Sequence, residues 1–172
     1  MKKQDILENR AKIVFLGIGS NLGIRKRNIE KAKFLLAEYN LDFLSVSSYY
    51  ETPSWPDPKK PKFLNIILKL RCYYNPQELL KICKSIETQL GRKKAKKNAP
   101  RICDLDIIDF NKLVSKKKAK VNLPHKMMHK RNFVLFPLFE IQKNLTHPHK
   151  NIDVKTLISL IPDRAIRSIK QI

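Results

Sequence analysis

The chain has 172 residues, 42% hydrophobic and 30% charged, which suits one globular domain with its own core and excludes an intrinsically disordered chain. Its 36 Lys and Arg against 15 Asp and Glu leave a formal charge of +21, a field that draws in polyanions such as nucleic acid or a phosphorylated small molecule. Cys72, Cys83 and Cys103 show no C-x-x-C spacing, so reduced buried thiols in a cytoplasmic protein are expected, and no apolar run reaches the ~20 residues of a membrane span.

Residues 1–11 form an expected flexible extension, since the apolar run IVFLGIG that follows has no small-residue cleavage site after it and suits a core strand better than an export signal. KIVFLGIG (12–19) is apolar throughout, the mark of a central strand covered on both faces. Ile29, Ala32, Leu36 and Tyr39 then recur at helical spacing, predicting a helix that ends near Asn40. FLSVSSYYE (43–51) and FLNIILKLRCY (63–73) have strand composition and partial alternation. In the second, Leu64, Ile66, Leu68 and Leu70 face one way, and Asn65, Lys69 and Arg71 the other. Asn75, Pro76, Glu78 and Gly91 supply N-cap, first helical position, capping box and stop for a second helix, with Leu79, Ile82, Ile86 and Leu90 as its buried stripe. A further strand at 100–110 completes the order β-α-β-β-α-β. That order predicts an α+β fold, a ferredoxin-like βαββαβ core with an antiparallel sheet. A short extra strand, a helical piece near FVLFPLFEI and a last helix around 152–161 begun at Asp153 complete a single domain.

Two connections are long for so small a domain. ETPSWPDPKKPK (51–62) holds four prolines and the sole tryptophan, and GRKKAKKNAPR (91–101) packs six basic residues into eleven positions. Long loops of this kind tend to be lids or binding elements.

The strand PRICDLDIIDF (100–110) raises a physical question. Residues two apart on a strand share a face, so Asp104 and Asp106 stand side by side with Cα atoms about 6.5 Å apart. Adjacent carboxylates in a half-buried strand need a shared proton, arginine partners or a divalent cation. A structural salt bridge from Arg101 would answer this. So would Mg²⁺ shared with a polyphosphate, which Arg92, Lys94, Lys97 and Arg101 of the preceding loop could neutralise.

Other motifs are weaker. GIGSNLG (17–23) sits between strand and helix, where glycine-rich turns hold phosphates, but Leu22 stands where a dinucleotide fingerprint needs glycine, and the chain has no G-x-x-x-x-G-K-[ST] loop. Gly17 and Gly19 would allow a ligand, or simply core packing, to approach closely. His125 and His129 have one-turn spacing, yet Pro124 and the lack of a third acid or thiol nearby leave a zinc site incomplete. His125 in LPHKMMHKRNF could instead donate to a phosphate beside Arg131, or serve as an ordinary loop histidine.

In family order over about 150 residues, GIGSNLG, SSYYETPSW, KFLN, KNAPRICDLDII and LPHKMMHKRNFVLFPLFEI resemble the 6-hydroxymethyl-7,8-dihydropterin pyrophosphokinases. Members of that family move pyrophosphate from ATP to a pterin alcohol in folate biosynthesis and release AMP. The resemblance implies a ferredoxin-like core and two Mg²⁺ ions on Asp104 and Asp106. It places Glu87, Arg92, Lys94, Arg101, Ile107, His125 and Arg131 on the ATP side, with Arg92, Arg101 and Asp106 in the catalytic roles. The pterin would lie between Phe63 and Phe133, with Asn65 reading its polar edge and Gly17, Thr52, Pro53 and Trp55 beside it. Several relatives carry a tryptophan and a second arginine in the basic loop, where this chain has Asn98 and Lys94.

The expected partners are therefore ATP and the pterin, with no nucleic acid, no membrane, and a cytoplasmic monomer. The competing reading is a basic RNA-binding module on the same fold. It needs exposed aromatics with an R-G-F-type motif and does not account for paired carboxylates beside a basic loop.

Overall fold

The computed structural model describes residues 10–54, 57–92 and 99–172. Its elements are β1 (Lys12–Ser20), α1 (Arg25–Ala37), β2 (Leu41–Val46), β3 (Tyr50–Thr52), β4 (Phe63–Cys72), α2 (Pro76–Gln89), β5 (Asp104–Phe110), a 3₁₀ turn (Met128–Lys130), α3 (Asn132–Ile141), α4 (Val154–Ser159), α5 (Asp163–Ser168) and β6 (Lys170–Gln171). The strands form one antiparallel sheet in the order β5-β1-β4-β3-β6, with β2 also pairing β4. The fold is thus mixed helix and antiparallel sheet, with β1 central as its apolar run implies.

The expected second strand is broken in two. β2 pairs the C-terminal half of β4 and β3 its N-terminal half, and between them Ser47 bonds Ile67 through both backbone and side chain. Its N–H donates to the Ile67 carbonyl at 2.9 Å, and its Oγ accepts the Ile67 N–H at 2.9 Å. A side-chain oxygen therefore stands in for a backbone carbonyl, and the strand bends without orphaning a buried donor. The cap of α2 forms as expected: Asn75 accepts from Gln77 and Glu78 N–H while the Glu78 side chain accepts the Asn75 N–H at 2.7 Å. Gly91 closes that helix with φ +88°. Asp153 caps α4 through the Thr156 N–H, and α5 is a helix for which the sequence carries no clear periodicity.

Strand alternation divides the core between the two faces of the sheet. Leu16, Ile18, Leu64, Ile66, Leu68 and Leu70 pack against Ile29, Ala32 and Leu36 of α1 and Leu79, Cys83 and Ile86 of α2. On the opposite face Phe15, Ile67 and Ile108 pack against Val134, Leu135 and Leu138 of α3 and Val154 and Leu157 of α4. All three cysteines are free and buried, and burial pushes the Cys83 and Cys103 thiols up to about 12, which leaves them inert. Among the described residues no helix is long and apolar enough to cross a membrane.

Candidate active site

At one end of the second face the packing opens into a cavity of about 280 Å³. Its floor follows from register. Asp104 lies opposite Gly19 and Asp106 opposite Gly17 on β1, while Gly19 is in turn opposite Asn65 on β4. Paired residues project on the same face, so the carboxylates and the Asn65 amide stand on either side of a strip that carries no side chains. A Cβ added at Gly19 would lie 2.9 Å from Asn65 Oδ1, so any side chain there would have to displace the Asn65 amide.

The walls are cationic and aromatic. Arg92 and Arg101 bond Asp104 through Nη1, at 2.5 Å and 3.0 Å. Arg131 Nη1 lies 3.6 Å and His125 Nε2 3.9 Å from Asp106. Arg101 also lies over the Phe63 ring, 5.8 Å from its centroid, and Arg131 over the Phe133 ring at 5.5 Å. Each aromatic thus has a guanidinium beside it, which places the flat, apolar part of the cavity next to its cationic part. Arg101 Nε is buried with no acceptor among the described residues.

Two local devices position these groups. A register shift in β5 leaves Ile108 unpaired between Ile107 and Asp109, and the Ile108 carbonyl accepts the His125 N–H at 2.8 Å. That bond docks His125 beside Asp106. His125 Nδ1 accepts the Met127 N–H at 3.2 Å, so Nε2 carries the proton and faces the cavity. Burial, then Arg131, pushes the imidazole down to about 4, so at neutral pH it is an uncharged donor. The second device is Glu87, which is 2% exposed. Its carboxylate accepts the Leu105 N–H at 2.9 Å, on the edge strand between the two aspartates, and holds Arg92 at 2.6 Å and Lys84 at 3.0 Å. Burial pushes the Glu87 carboxyl up, against those three partners. In Asp106 burial, then the Asp104 charge, acts the same way, opposed by Arg131, Lys84 and Arg101.

The residues singled out from the sequence sort clearly. Gly17, Pro53, Phe63, Asn65, Arg92, Arg101, Asp104, Asp106, His125, Arg131 and Phe133 converge on the cavity. Thr52 sits just behind it, 2% exposed, and its Oγ1 accepts from the Asn65 amide at 3.2 Å. Two of the expected residues do not line the cavity with their side chains: Glu87 is buried behind Arg92, and the Ile107 side chain packs into the core on the other face, because alternation turns it away from Asp104 and Asp106. Trp55 and Lys94 lie outside the described residues, as do Lys97 and Asn98 and residues 1–9 of the expected extension.

Sequence reasoning missed Lys84, Ile108 and Asn21. Lys84 and Ile108 line the cavity. Asn21, inside GIGSNLG, ties both long loops down: its Nδ2 donates to the Pro61 carbonyl at 3.1 Å, its Oδ1 accepts the Arg101 N–H at 2.7 Å, and its own N–H donates to the Arg101 carbonyl at 3.2 Å. Only a buried asparagine directly after a strand signals such a role, and burial is not visible in a single sequence.

Residues 15–143 match the family described as 7,8-dihydro-6-hydroxymethylpterin-pyrophosphokinase. The chain belongs to that family. It is 39% identical over 135 residues to a 2-amino-4-hydroxy-6-hydroxymethyldihydropteridine pyrophosphokinase of Aquifex aeolicus, covering 78% of this chain and 83% of the relative. It is 33% identical to the folic acid synthesis protein fol1 of Schizosaccharomyces pombe over 91% of this chain, but spans only 21% of that longer protein. Its fold superposes on a Plasmodium falciparum HPPK-DHPS structure with pteroate at a TM-score of 0.72 and 14% identity, covering 95% of this chain and 47% of that one.

Proposed function

We propose that this pyrophosphokinase transfers the pyrophosphoryl group of ATP to the hydroxymethyl oxygen of 6-hydroxymethyl-7,8-dihydropterin, releasing AMP, as a step of folate biosynthesis in the cytoplasm, and that it acts as a monomer. The observation that carries this reading is the glycine-floored cavity, with two carboxylates and three arginines at one end and Phe63, Phe133 and Asn65 at the other. We read the strand order as the ferredoxin-like arrangement, with β2 and β3 as one interrupted strand.

Asp104 and Asp106 fit Mg²⁺. Among the described residues no three His, Cys, Asp or Glu side chains converge as a metal cage, and two carboxylates are what Mg²⁺ takes when phosphates and water complete its shell. Two such ions, held by Asp104 and Asp106, would supply charge neutralisation for the phosphates. The chain's own groups do the rest. Phe63 and Phe133 hold the pterin ring, and the Asn65 amide, oriented by Thr52, reads its polar edge. Arg92, Arg101 and Arg131 grip phosphate oxygens, and the Nε2–H of neutral His125 donates to one of them. His125 is no base, because its remaining lone pair takes the Met127 N–H. Acceleration therefore comes from aligning the hydroxyl with the β-phosphorus and from electrostatics prearranged around it.

Incubation with ATP, Mg²⁺ and the pterin alcohol tests the reading: AMP and the pterin pyrophosphate are expected as products. Formation of ADP would refute attack at the β-phosphorus. The RNA-binding alternative has no support, since the aspartates occupy the middle of the cationic surface on which a strand would have to lie.

A further inference from the structure

We propose that Glu140 is a positioning residue for the pterin, tying helix α3, which carries Phe133, to strand β3, which orients Asn65; the proposal rests on the function argued above. Alternation along β3 turns Tyr50 and Thr52 to the second face of the sheet, where register sets Tyr50 opposite Asn65. Thr52 Oγ1 accepts from the Asn65 amide at 3.2 Å, and the Tyr50 carbonyl lies 3.5 Å from the same nitrogen. The direction of the Asn65 amide therefore depends on where β3 lies.

Its own ladder holds β3 weakly. The strand has three residues, and its outer neighbour β6 has two. At the break before β3 the Ser48 N–H is taken by Glu140, whose carboxylate oxygens each lie 3.0 Å away. One of those oxygens also accepts the Ser48 hydroxyl at 2.7 Å, and the other accepts the Tyr50 hydroxyl at 2.9 Å. Ser48 Oγ accepts in turn from Gln171 Nε2 of β6 at 2.9 Å. With both oxygens engaged the carboxylate cannot turn without giving up a bond, which distinguishes Glu140 from an ordinary acid on an exposed helix surface. Tyr50 is 6% exposed, and burial, then its bond to Glu140, pushes the phenol up, so it remains a donor at neutral pH.

Glu140 and Phe133 are seven residues apart, about two turns, and so lie on one side of α3. Between them Val134, Leu135 and Leu138, at most 2% exposed, fix how deeply the helix sits on the sheet. Apolar packing is non-directional and lets a helix slide or turn over a sheet, whereas hydrogen bonds set a direction. Glu140 supplies that direction. It fixes α3 against β3, and with it the separation of the Phe133 ring from the Asn65 amide across the cavity. A flat heterocycle gripped by a ring at its face and an amide at its edge binds tightly only when both are in place.

The test is fluorescence titration of the pterin alcohol into enzyme saturated with the Mg²⁺ complex of an ATP analogue bridged by methylene between its α- and β-phosphorus, with calorimetric binding of that analogue alone as the reference. Glu140→Ala should weaken the pterin about tenfold and Tyr50→Phe about threefold, and the double variant should lose about as much as Glu140→Ala alone, because the two share one bond. Glu140→Gln should recover most of the loss, since its amide oxygen still accepts from Ser48 and its NH₂ group donates to the Tyr50 oxygen. Analogue affinity should not move, and KM for the pterin should rise with kcat nearly constant. Unchanged pterin affinity in both Glu140→Ala and Tyr50→Phe overturns the proposal. So does a loss shared equally by the analogue, which would make Glu140 a general brace of the fold, and so does a Glu140→Gln variant as poor as Glu140→Ala, which would make charge and not bonding the cause. Failure of the unsubstituted enzyme to bind the pterin would instead overturn the functional reading, and this proposal with it.

Discussion

The two faces of the sheet use the same strands for opposite purposes. On the α1/α2 face, Leu16, Ile18, Leu64, Ile66 and Leu68 are all at most 4% exposed and belong to one apolar cluster. One residue along the same strands, the other face presents Gly17, Gly19, Asn65, Asp104 and Asp106, a floor without packing and a ring of charge. Apolar packing over the first face, together with the α3/α4 core on the rest of the second, lets one end of the second face carry adjacent like charges and an open cavity. Substitutions on the two faces should therefore separate activity from stability.

The largest separation is expected at the aspartates. Asp104→Ala or Asp106→Ala should lower turnover at least about 1,000-fold, roughly 4 kcal/mol of barrier, while thermal unfolding stays cooperative. Turnover retained in both variants would remove the metal role. Leu16→Ala is the mirror case. It should cost about 2–5 kcal/mol of unfolding free energy in denaturant titrations and leave KM for both substrates unchanged. A KM shift there would show that the faces are coupled.

Asn21→Ala removes bonds that tie both long loops to the end of β1, worth about 1–3 kcal/mol. The loss should appear as faster proteolysis within 51–62 and 91–101 and as higher KM for both substrates. Gly19→Ala forces Asn65 aside and should raise KM for the pterin about tenfold, roughly 1.4 kcal/mol. Gly17→Ala meets the side chains of Ile108 and Ile67, nearest at 3.3 Å and 3.4 Å, and should do less.

The smallest effect concerns pH. His147, on the helical side of the second face, is 3% exposed, and burial first, then His129 and Lys150, pushes its imidazole down to about 4 from an ordinary 6.5. The unfolded chain then binds the proton first as pH falls. The stability from neutral His147 is full above pH 6.5 and is lost as pH falls towards 4, about 1 kcal/mol between pH 7.5 and 5.5. Asp109 has the opposite sign: burial raises its carboxyl to about 6, so its contribution is present below pH 3.8 and is lost as pH rises through 6. His147→Asn should flatten the decline of the urea midpoint between pH 7.5 and 5.5, and an unaltered slope would assign that decline to other groups.

Much of this was legible beforehand because it is local. The Asn75 capping box, the β1 core strand and the shared face of Asp104 and Asp106 each follow from spacing within one segment. The break between β2 and β3 was not legible, since it depends on Ser47 meeting Ile67 twenty residues away. That Glu87 is buried was not legible either, because helical spacing does not tell a solvent-facing acid from one that reaches round a sheet edge to Leu105.

By itself the order of residues determined most of the elements, the side of β5 that carries the acids, and a cation excess suited to a phosphorylated substrate, because strand and helix periods and net charge are properties of neighbouring residues. The tertiary structure alone decided that Gly17 and Gly19 lie between those acids and Asn65, that a bulge at Ile108 docks His125, and that Lys84 hangs on a buried carboxylate. Those outcomes depend on register and on strands crossing from distant parts of the chain, and no local pattern encodes them.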